Sequence, residues 1–148
     1  MRVYIGTDHR GVELEKKLVD YLLSKNYEVV RSKLPHYDTD DYIDFAKELG
    51  ENVVKDQGSF GILICRTGIG MSIVANKIKG VRAARCVSEE DAYLTRFDND
   101  ANVLCLSYDD DYNTLLDVIN VFLSTEKSEE ERHVRRVNKI IALENGEL

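Results

Sequence analysis

Cys65 stands where a buried strand pattern gives way to a glycine-rich segment. The sequence 61–77 reads GILICRTGIGMSIVANK, in which an apolar run ends at Cys65 and is followed by Arg66, Gly68 and Gly70. A glycine loop that opens a helix presents free N–H groups, which can bind an oxyanion or a phosphate. The helix N-terminus and the Arg66 cation both favour the thiolate form of Cys65. A thiolate beside an anion site can act as a nucleophile or as a base toward carbon acids.

The same segment has less demanding interpretations. The loop could be only a tight turn from strand to helix, without a ligand. As a dinucleotide-binding fingerprint it is weak, because it follows the third strand and Ile73 stands where glycine or alanine is needed. A Walker-type nucleotide site is not indicated, since no GxxxxGK[ST] motif occurs. Cys86 and Cys105 lie in apolar contexts and are interpreted as packing residues.

Two further clusters carry groups that bind sugars or phosphates. Asp8 and His9 follow the first apolar segment, where His9 could bind a phosphate or a hydroxyl and Asp8 could orient a sugar hydroxyl. A helix cap with a surface histidine is the alternative. Near the end of the chain, Arg132 and Arg136 are four residues apart and share a helix face. Paired guanidinium groups suit a phosphate, and a solvated charged face is the alternative.

Alternating strand and helix patterns position these residues. Apolar strands are predicted at 2–6, 27–30, 60–65, 81–87 and 102–106, and helices at 12–25, 41–55, 70–78, 89–97, 112–124 and 129–144. This order predicts one α/β domain over 1–148, a doubly wound, three-layer α/β/α (Rossmann-like) fold with a five-stranded parallel sheet of order 2-1-3-4-5. Its ligand crevice would lie outside the carboxyl ends of strands 1 and 3, which are followed by Asp8, His9 and Cys65.

Composition excludes several classes of protein. The 148 residues suffice for one domain with a real core, and the net charge of -7 argues against nonspecific binding to nucleic acid. No apolar run approaches the roughly 18 residues of a membrane span, and the N-terminus begins directly as a strand, without a signal peptide's apolar region. The three cysteines form no CxxC spacing, which predicts neither a disulfide framework nor a zinc site and favours a reducing, cytoplasmic location.

Four motifs in order, TDHRG, CRTGIGMSIVANK, RFDNDANVLC and ERHVRRV, together resemble the type B ribose-5-phosphate isomerase family, which includes the galactose-6-phosphate isomerase subunits. The resemblance covers nearly the whole chain. It implies an aldose–ketose isomerase of the pentose phosphate pathway without metal or cofactor, assembled as a homodimer or a dimer of dimers with interfacial active sites. Ribose 5-phosphate is the expected substrate. The alternatives are an isomerase of a six-carbon sugar phosphate of the galactose- or allose-6-phosphate type, and a phosphosugar-binding homologue with weakened catalysis.

The resemblance also implies residue roles. Cys65 matches the base that moves a proton between C1 and C2, and Thr67 matches a group that assists at the sugar oxygens. Asn99 and the backbone N–H groups of the loop at 66–70 match the donors that stabilise the enediolate. Asp98 and Asn99 are implied to reach Cys65 of a neighbouring subunit. The implied sugar contacts are Asp8, His9, Tyr42, Arg66, Gly68, Gly70 and Ser72, and the implied phosphate contacts are His9, Arg132 and Arg136.

The chain departs from the family pattern at four positions. Arg66 replaces a glycine, Asp98 replaces the histidine that opens the furanose ring, Asp109 replaces an arginine, and Ile43 replaces a proline. We expect Arg66 to pair with Asp98 or Asp109, across the dimer interface. Such pairing would lower the pKa of the aspartate and make it a poor proton donor at neutral pH. Ring opening would then be compromised, although proton transfer on an open-chain sugar would not be.

Overall fold

The computed structural model describes all residues from Met1 to Leu148 as one parallel sheet between helices. The strands are β1 Arg2–Thr7, β2 Glu28–Arg31, β3 Phe60–Cys65, β4 Ala83–Arg85 and β5 Val103–Ser107. The helices are α1 Val12–Ser24, α2 Tyr42–Lys55, α3 Ile69–Ala75, α4 Glu89–Asn99, α5 Tyr112–Ser124 and α6 Glu131–Glu144, and a 3₁₀ turn at His9–Gly11 joins β1 to α1. None of these helices combines the length and the apolar character needed to cross a membrane. The predicted doubly wound α/β class is confirmed.

The sheet has the order β2-β1-β3-β5-β4, so the last two strands are exchanged relative to the predicted order. All five residues of β5 are buried, and this strand pairs with β3 on one side and β4 on the other. β4 keeps only three residues of the predicted strand 81–87, and none of them is fully buried. An apolar strand is best placed at the centre of a sheet, whereas a short, half-exposed strand suits its edge. The reversal between β1 and β3, which creates the crevice, is as predicted.

Each face of the sheet carries its own hydrophobic core. Helices α1, α4 and α5 cover one face, and α2 and α3 cover the other. Successive residues of β3 alternate between these faces, since side chains along a strand point in opposite directions. Ile62 and Ile64 belong to the first core, whereas Leu63 and Cys65 belong to the second. The thiol of Cys65 therefore lies on the face that α2 and α3 cover.

Helix α6 lies at the amino-terminal ends of the strands, opposite the crevice. The N–H group of Ser128, just before the helix, donates to the Phe97 carbonyl at 2.9 Å. At the other end of α6, Glu144 Oε1 accepts from the Gly80 N–H group at 2.8 Å. His133 is the one buried residue of the helix. The exposed apolar residues of α6 are Val134, Ile140, Ile141 and Leu143.

Candidate active site

The carboxyl ends of β1 and β3 open onto a cleft of about 490 Å³. Its lining is Asp8, His9 and Arg10 after β1, residues 38–42 before and at the start of α2, Cys65, Arg66, Thr67 and Gly70 after β3, and Tyr108 after β5. This is the place where a doubly wound sheet binds ligands. A larger cavity of about 970 Å³ lies at the opposite edge of the sheet, and none of the predicted site residues lines it.

Cys65 is at the floor of the cleft and is 6% exposed. The N–H group of Gly68 donates to its Sγ atom at 3.1 Å. Gly68 has a φ of 77°, a left-handed conformation that glycine adopts without steric cost. The turn therefore directs an N–H group at the sulfur, where it can stabilise negative charge once the thiol loses its proton.

Cys86 and Cys105 are core residues, as expected. Both are buried, and neither lines the cleft. Burial raises the pKa of the Cys86 thiol to about 11. It raises the pKa of Cys105 as well, again because an apolar environment disfavours the thiolate. Of the three thiols, Cys65 alone opens onto the cleft.

The loop after β3 offers hydrogen-bond donors to a ligand. Thr67 Oγ1 accepts from the Ile69 N–H group at 3.1 Å, and the Ser72 hydroxyl donates to the Ile69 carbonyl at 2.7 Å. The N–H groups of Thr67 and Gly70 have no acceptor within the protein, as is usual for donors at the start of a helix. Arg85 Nε donates to the Thr67 carbonyl at 2.6 Å and so fixes the loop from β4.

A buried carboxylate, Asp40, binds two histidines beside the cleft. Asp40 Oδ1 lies 2.8 Å from His9 Nδ1 and accepts from the His9 N–H group at 3.1 Å. Oδ2 lies 2.9 Å from His36 Nδ1 and accepts from the Tyr37 N–H group at 3.2 Å. Burial by itself would raise the pKa of Asp40, but hydrogen bonds from His9, His36 and the backbone hold it at about 2.

His9 is one of the site residues predicted from the sequence, whereas His36 and Asp40 are not. The only local signal is that His36 and Asp40 are four residues apart in an irregular segment just before a helix. His9 lies far from both along the chain, and the tertiary fold, in which β1 pairs with β2, brings the two segments together.

Arg66 pairs with Asp109 in the same chain. Their Nε and Oδ2 atoms are 3.7 Å apart, and both side chains are exposed. Ser107 Oγ donates to the Arg66 carbonyl and accepts from the Asp109 N–H group, so β5 holds the two residues side by side. Arg66 therefore pairs with one of the two expected aspartates, Asp109, within one chain rather than across an interface, and a pairing with Asp98 of another subunit stays a prediction.

Asp98 and Asn99 do not reach the cleft of their own chain. Helix α4 runs antiparallel to the strands on either side of it, so its last residues lie at the amino-terminal edge of the sheet. Asp98 Oδ1 lies 3.6 Å from Nε2 of the buried His133, at the junction of α4 and α6. A small cavity of about 140 Å³ adjoins this junction, and Cys65 lies at the other edge.

The two predicted phosphate ligands on α6 are also remote from the cleft. Arg132 and Arg136 are both exposed. Arg132 is loosely paired with Glu130, at 3.4 Å between Nη2 and Oε2. One chain therefore brings together Asp8, His9, Tyr42, Arg66, Thr67, Gly70 and Cys65, and leaves Asp98 and Asn99 at the end of α4 and Arg132 and Arg136 on α6, outside the cleft. Gly68 and Ser72 lie in the loop and helix directly behind the cleft.

Comparison with known proteins identifies the family. The model of the ribose/galactose isomerase family matches residues 3–140. The chain belongs to this family. Among its relatives, a probable ribose-5-phosphate isomerase B of Mycoplasma genitalium is 42% identical over 147 residues, which cover 96% of this chain and 95% of the relative.

Solved structures of the ribose/galactose isomerase family have the same fold. The type B ribose 5-phosphate isomerase of Trypanosoma cruzi superimposes with a TM-score of 0.92, at 40% identity and with 99% of both chains covered. Ribose-5-phosphate isomerase B of Mycoplasma genitalium with bound ribulose-5-phosphate gives a TM-score of 0.90, at 39% identity, covering 97% of this chain and 96% of that one. The family predicted from the four sequence motifs is confirmed.

Proposed function

We propose that this protein interconverts ribose 5-phosphate and ribulose 5-phosphate. The observation that carries the proposal is the position of Cys65 at the floor of the cleft, with a backbone N–H group on its sulfur and with Asp8 and His9 in the same cleft. A solved member of the ribose/galactose isomerase family holds ribulose-5-phosphate. All three cysteines are free, which supports a reducing location such as the cytoplasm.

The reaction is a proton transfer on the open-chain sugar. The Cys65 thiolate takes the proton from C2 of the aldose, the C–H electron pair forms the C1–C2 double bond, and negative charge moves to O1. The N–H groups of Thr67 and Gly70 are donors for that charge. The Thr67 hydroxyl carries a proton from O2 to O1, and the Cys65 thiol returns its proton to C1, which gives the ketose.

The other cleft residues bind the sugar in this proposal. Asp8 accepts hydrogen bonds from sugar hydroxyls, and Tyr42 and Arg66 contact the substrate from the side of α2 and from the rim. The cleft itself holds more carboxylates than cations, since Asp8, Asp38, Asp40 and Asp41 all line it. A phosphate therefore needs positive charge from outside this set of residues.

We propose that a second copy of the chain supplies that charge, in a homodimer with two shared sites. Asp98, Asn99, Arg132 and Arg136 of one subunit would complete the cleft of the other. Asn99 would donate to the enediolate, Asp98 would exchange protons during ring opening, and the two arginines would bind the phosphate. The exposed apolar residues of α6 support this arrangement, because an isolated chain leaves them in water.

Turnover of ribose 5-phosphate at neutral pH tests the reaction. Cys65→Ala should abolish it, and Cys86→Ala, which removes the same atoms from the core, should leave most of it. Circular dichroism and thermal unfolding check that both variants fold. Near-normal turnover by folded Cys65→Ala would overturn the mechanism. Absence of turnover in the unmodified, folded protein would overturn the proposed substrate, and other phosphorylated sugars would then be assayed.

Mixed dimers test the shared sites. Cys65→Ala and the double variant Arg132→Ala/Arg136→Ala should each be nearly inactive at low substrate concentration. When the two are co-expressed, half of the dimers are mixed, and each mixed dimer holds one site with both defects and one with neither. About a quarter of the unmodified activity should therefore return. No recovery in dimers shown to be mixed would mean that each site lies within one chain.

A further inference from the structure

His9 is held by a carboxylate that has no other function in the proposed reaction. Each oxygen of Asp40 has two partners, one imidazole Nδ1 and one backbone N–H group, so all four of its hydrogen bonds come from the protein. The Asp40 side chain is 6% exposed. A buried carboxylate with its acceptor capacity filled in this way has little left to offer a substrate.

The charge of Asp40 determines where the ring protons lie. With a pKa of about 2, the carboxylate is ionised at neutral pH and can only accept hydrogen bonds. Both imidazoles must then carry a proton on Nδ1. For His9 this leaves Nε2 as the ring nitrogen available to a ligand, and no protein group is hydrogen-bonded to it.

His36 is itself immobilised, which makes it a firm support for Asp40. Its ring stacks on Phe45 of α2 with 4.7 Å between centroids and 18° between planes. Phe45 is buried in the hydrophobic core between α2, α3 and the sheet. Arg31 ends β2, which leads into the segment that carries His36, and it is paired with the buried Glu15 of α1, with 2.9 Å between Nε and Oε1. The packed interior therefore fixes His36, and His36 in turn fixes one oxygen of Asp40.

We propose that Asp40 and His36 are positioning residues for His9. Together they hold its ring with the Nδ1 proton on Asp40 and with Nε2 directed at the phosphate group of the substrate, to which Nε2 donates when both ring nitrogens carry a proton. The identity of that ligand rests on the proposed function; the arrangement of the three side chains does not. Positioning by a buried carboxylate is the means by which proteins select one tautomer of a functional histidine.

Imidazole NMR tests the arrangement directly. The chain has 3 histidines, so His9→Gln and His36→Gln variants suffice to assign their ring signals in long-range ¹H–¹⁵N correlation spectra. In spectra of the neutral rings, His9 and His36 should both appear as Nδ1–H tautomers. A His9 ring that carries its proton on Nε2 in the unmodified protein would overturn the proposal, without any need for an Asp40 variant.

Phosphate affinity tests the consequence. Inorganic phosphate should shift the His9 ring signals, and Asp40→Asn should weaken its binding at least about tenfold, as expected when a hydrogen bond to a charged group is lost. The KM for the sugar phosphate should rise in parallel, with a smaller change in kcat, because the phosphate is remote from C1 and C2. His36→Gln should have the same effect to a smaller extent. Asp44→Asn removes the same charge from an exposed position on α2, outside the cleft, and should change neither quantity.

The outcomes separate this inference from the proposed function. Phosphate affinity within twofold of the unmodified protein in folded Asp40→Asn would overturn the inference, even if ribose 5-phosphate is isomerised normally. If no sugar phosphate is isomerised but the tautomers and the phosphate affinity depend on Asp40 as described, the proposed function fails and the inference stands. Should Asp40→Asn not fold, the unmodified tautomers and His36→Gln still decide the question.

Discussion

The ring of Tyr42 lies against the backbone of Gly70, with no room for a side chain between them. A Cβ atom on Gly70 would be 2.7 Å from Tyr42 Cζ and 2.9 Å from its hydroxyl oxygen. Tyr42 begins α2, and Gly70 is in the first turn of α3, so this contact sets the spacing between the segment that carries Asp40 and the loop after Cys65. The glycine is required for space at this position.

Gly70→Ala should displace the Tyr42 ring and destabilise the protein by roughly 1–3 kcal/mol, the usual cost of overpacking. In a Tyr42→Ala background, the same substitution should cost less than about 1 kcal/mol, because the clash is gone. Urea unfolding of the four proteins measures both values. An equal cost in the two backgrounds would show that the ring is not what excludes a side chain.

Arg66→Gly should have little effect on stability. Its pair with Asp109 is exposed on both sides, and such pairs contribute about 1 kcal/mol or less. If Arg66 contacts the substrate, as proposed, the KM for ribose 5-phosphate should rise in the variant and should rise less in Asp109→Asn. Steady-state kinetics and thermal unfolding measure the two effects. A large loss of stability with an unchanged KM would assign Arg66 to the fold rather than to the site.

Asp98→His should speed the isomerisation of ring-closed ribose 5-phosphate. The resemblance to the family implies that a histidine at this position opens the furanose ring. An imidazole exchanges protons near neutral pH better than a carboxylate does. We expect at least a tenfold rise in kcat/KM at neutral pH, within the roughly 10²–10⁴-fold range of acid–base catalysis. Asp117→His, on the exposed side of α5, is the control. No rise, or a fall, would mean that Asp98 does not limit ring opening.

Arg136→Ala should chiefly raise the KM, by about tenfold, because it removes a contact to the phosphate that is made equally in ground and transition states. Arg135→Ala is a matched control, since Arg135 lies on the same helix and forms a salt bridge with Glu131, with 2.6 Å between Nη1 and Oε2. Its KM should stay within about twofold of the unmodified value. Equal effects of the two substitutions would indicate that the arginines of α6 form a solvated helix face and do not bind the phosphate.

Asp40 should make the free energy of unfolding fall as the pH becomes acidic. Its pKa in the folded protein is about 2, below the ordinary value of 3.8, so the unfolded chain takes up its proton first as the pH falls. The stabilisation is therefore present above about pH 4 and is lost between pH 4 and 2. Unfolding free energies of the unmodified protein should decline more steeply over this range than those of Asp40→Asn. Asp44→Asn should keep the steep decline, and parallel curves for all three proteins would contradict the prediction.

The fold class and most of the cleft could be predicted from the amino-acid sequence. Apolar runs and helical periodicity are local properties, so the alternation of strands and helices could be derived from neighbouring residues alone. Because a parallel sheet gathers the carboxyl ends of its strands at one edge, that alternation already placed Asp8 and His9 near Cys65. The glycines of the loop predicted a sharp strand-to-helix turn, and its geometry at Gly68 agrees.

Two features could be seen only in the folded molecule: which strand lies at the edge of the sheet, and which side chains from distant segments come into contact. The positions of β4 and β5 depend on how much of each strand is buried, and burial is a property of the packed sheet. The link between His9 and Asp40 joins residues on different connections of the sheet, and no local pattern announces it. The separation of Asp98 from Cys65 likewise follows from the direction in which α4 crosses the sheet. Contacts between segments distant in sequence arise from packing, which periodicity and motifs do not encode.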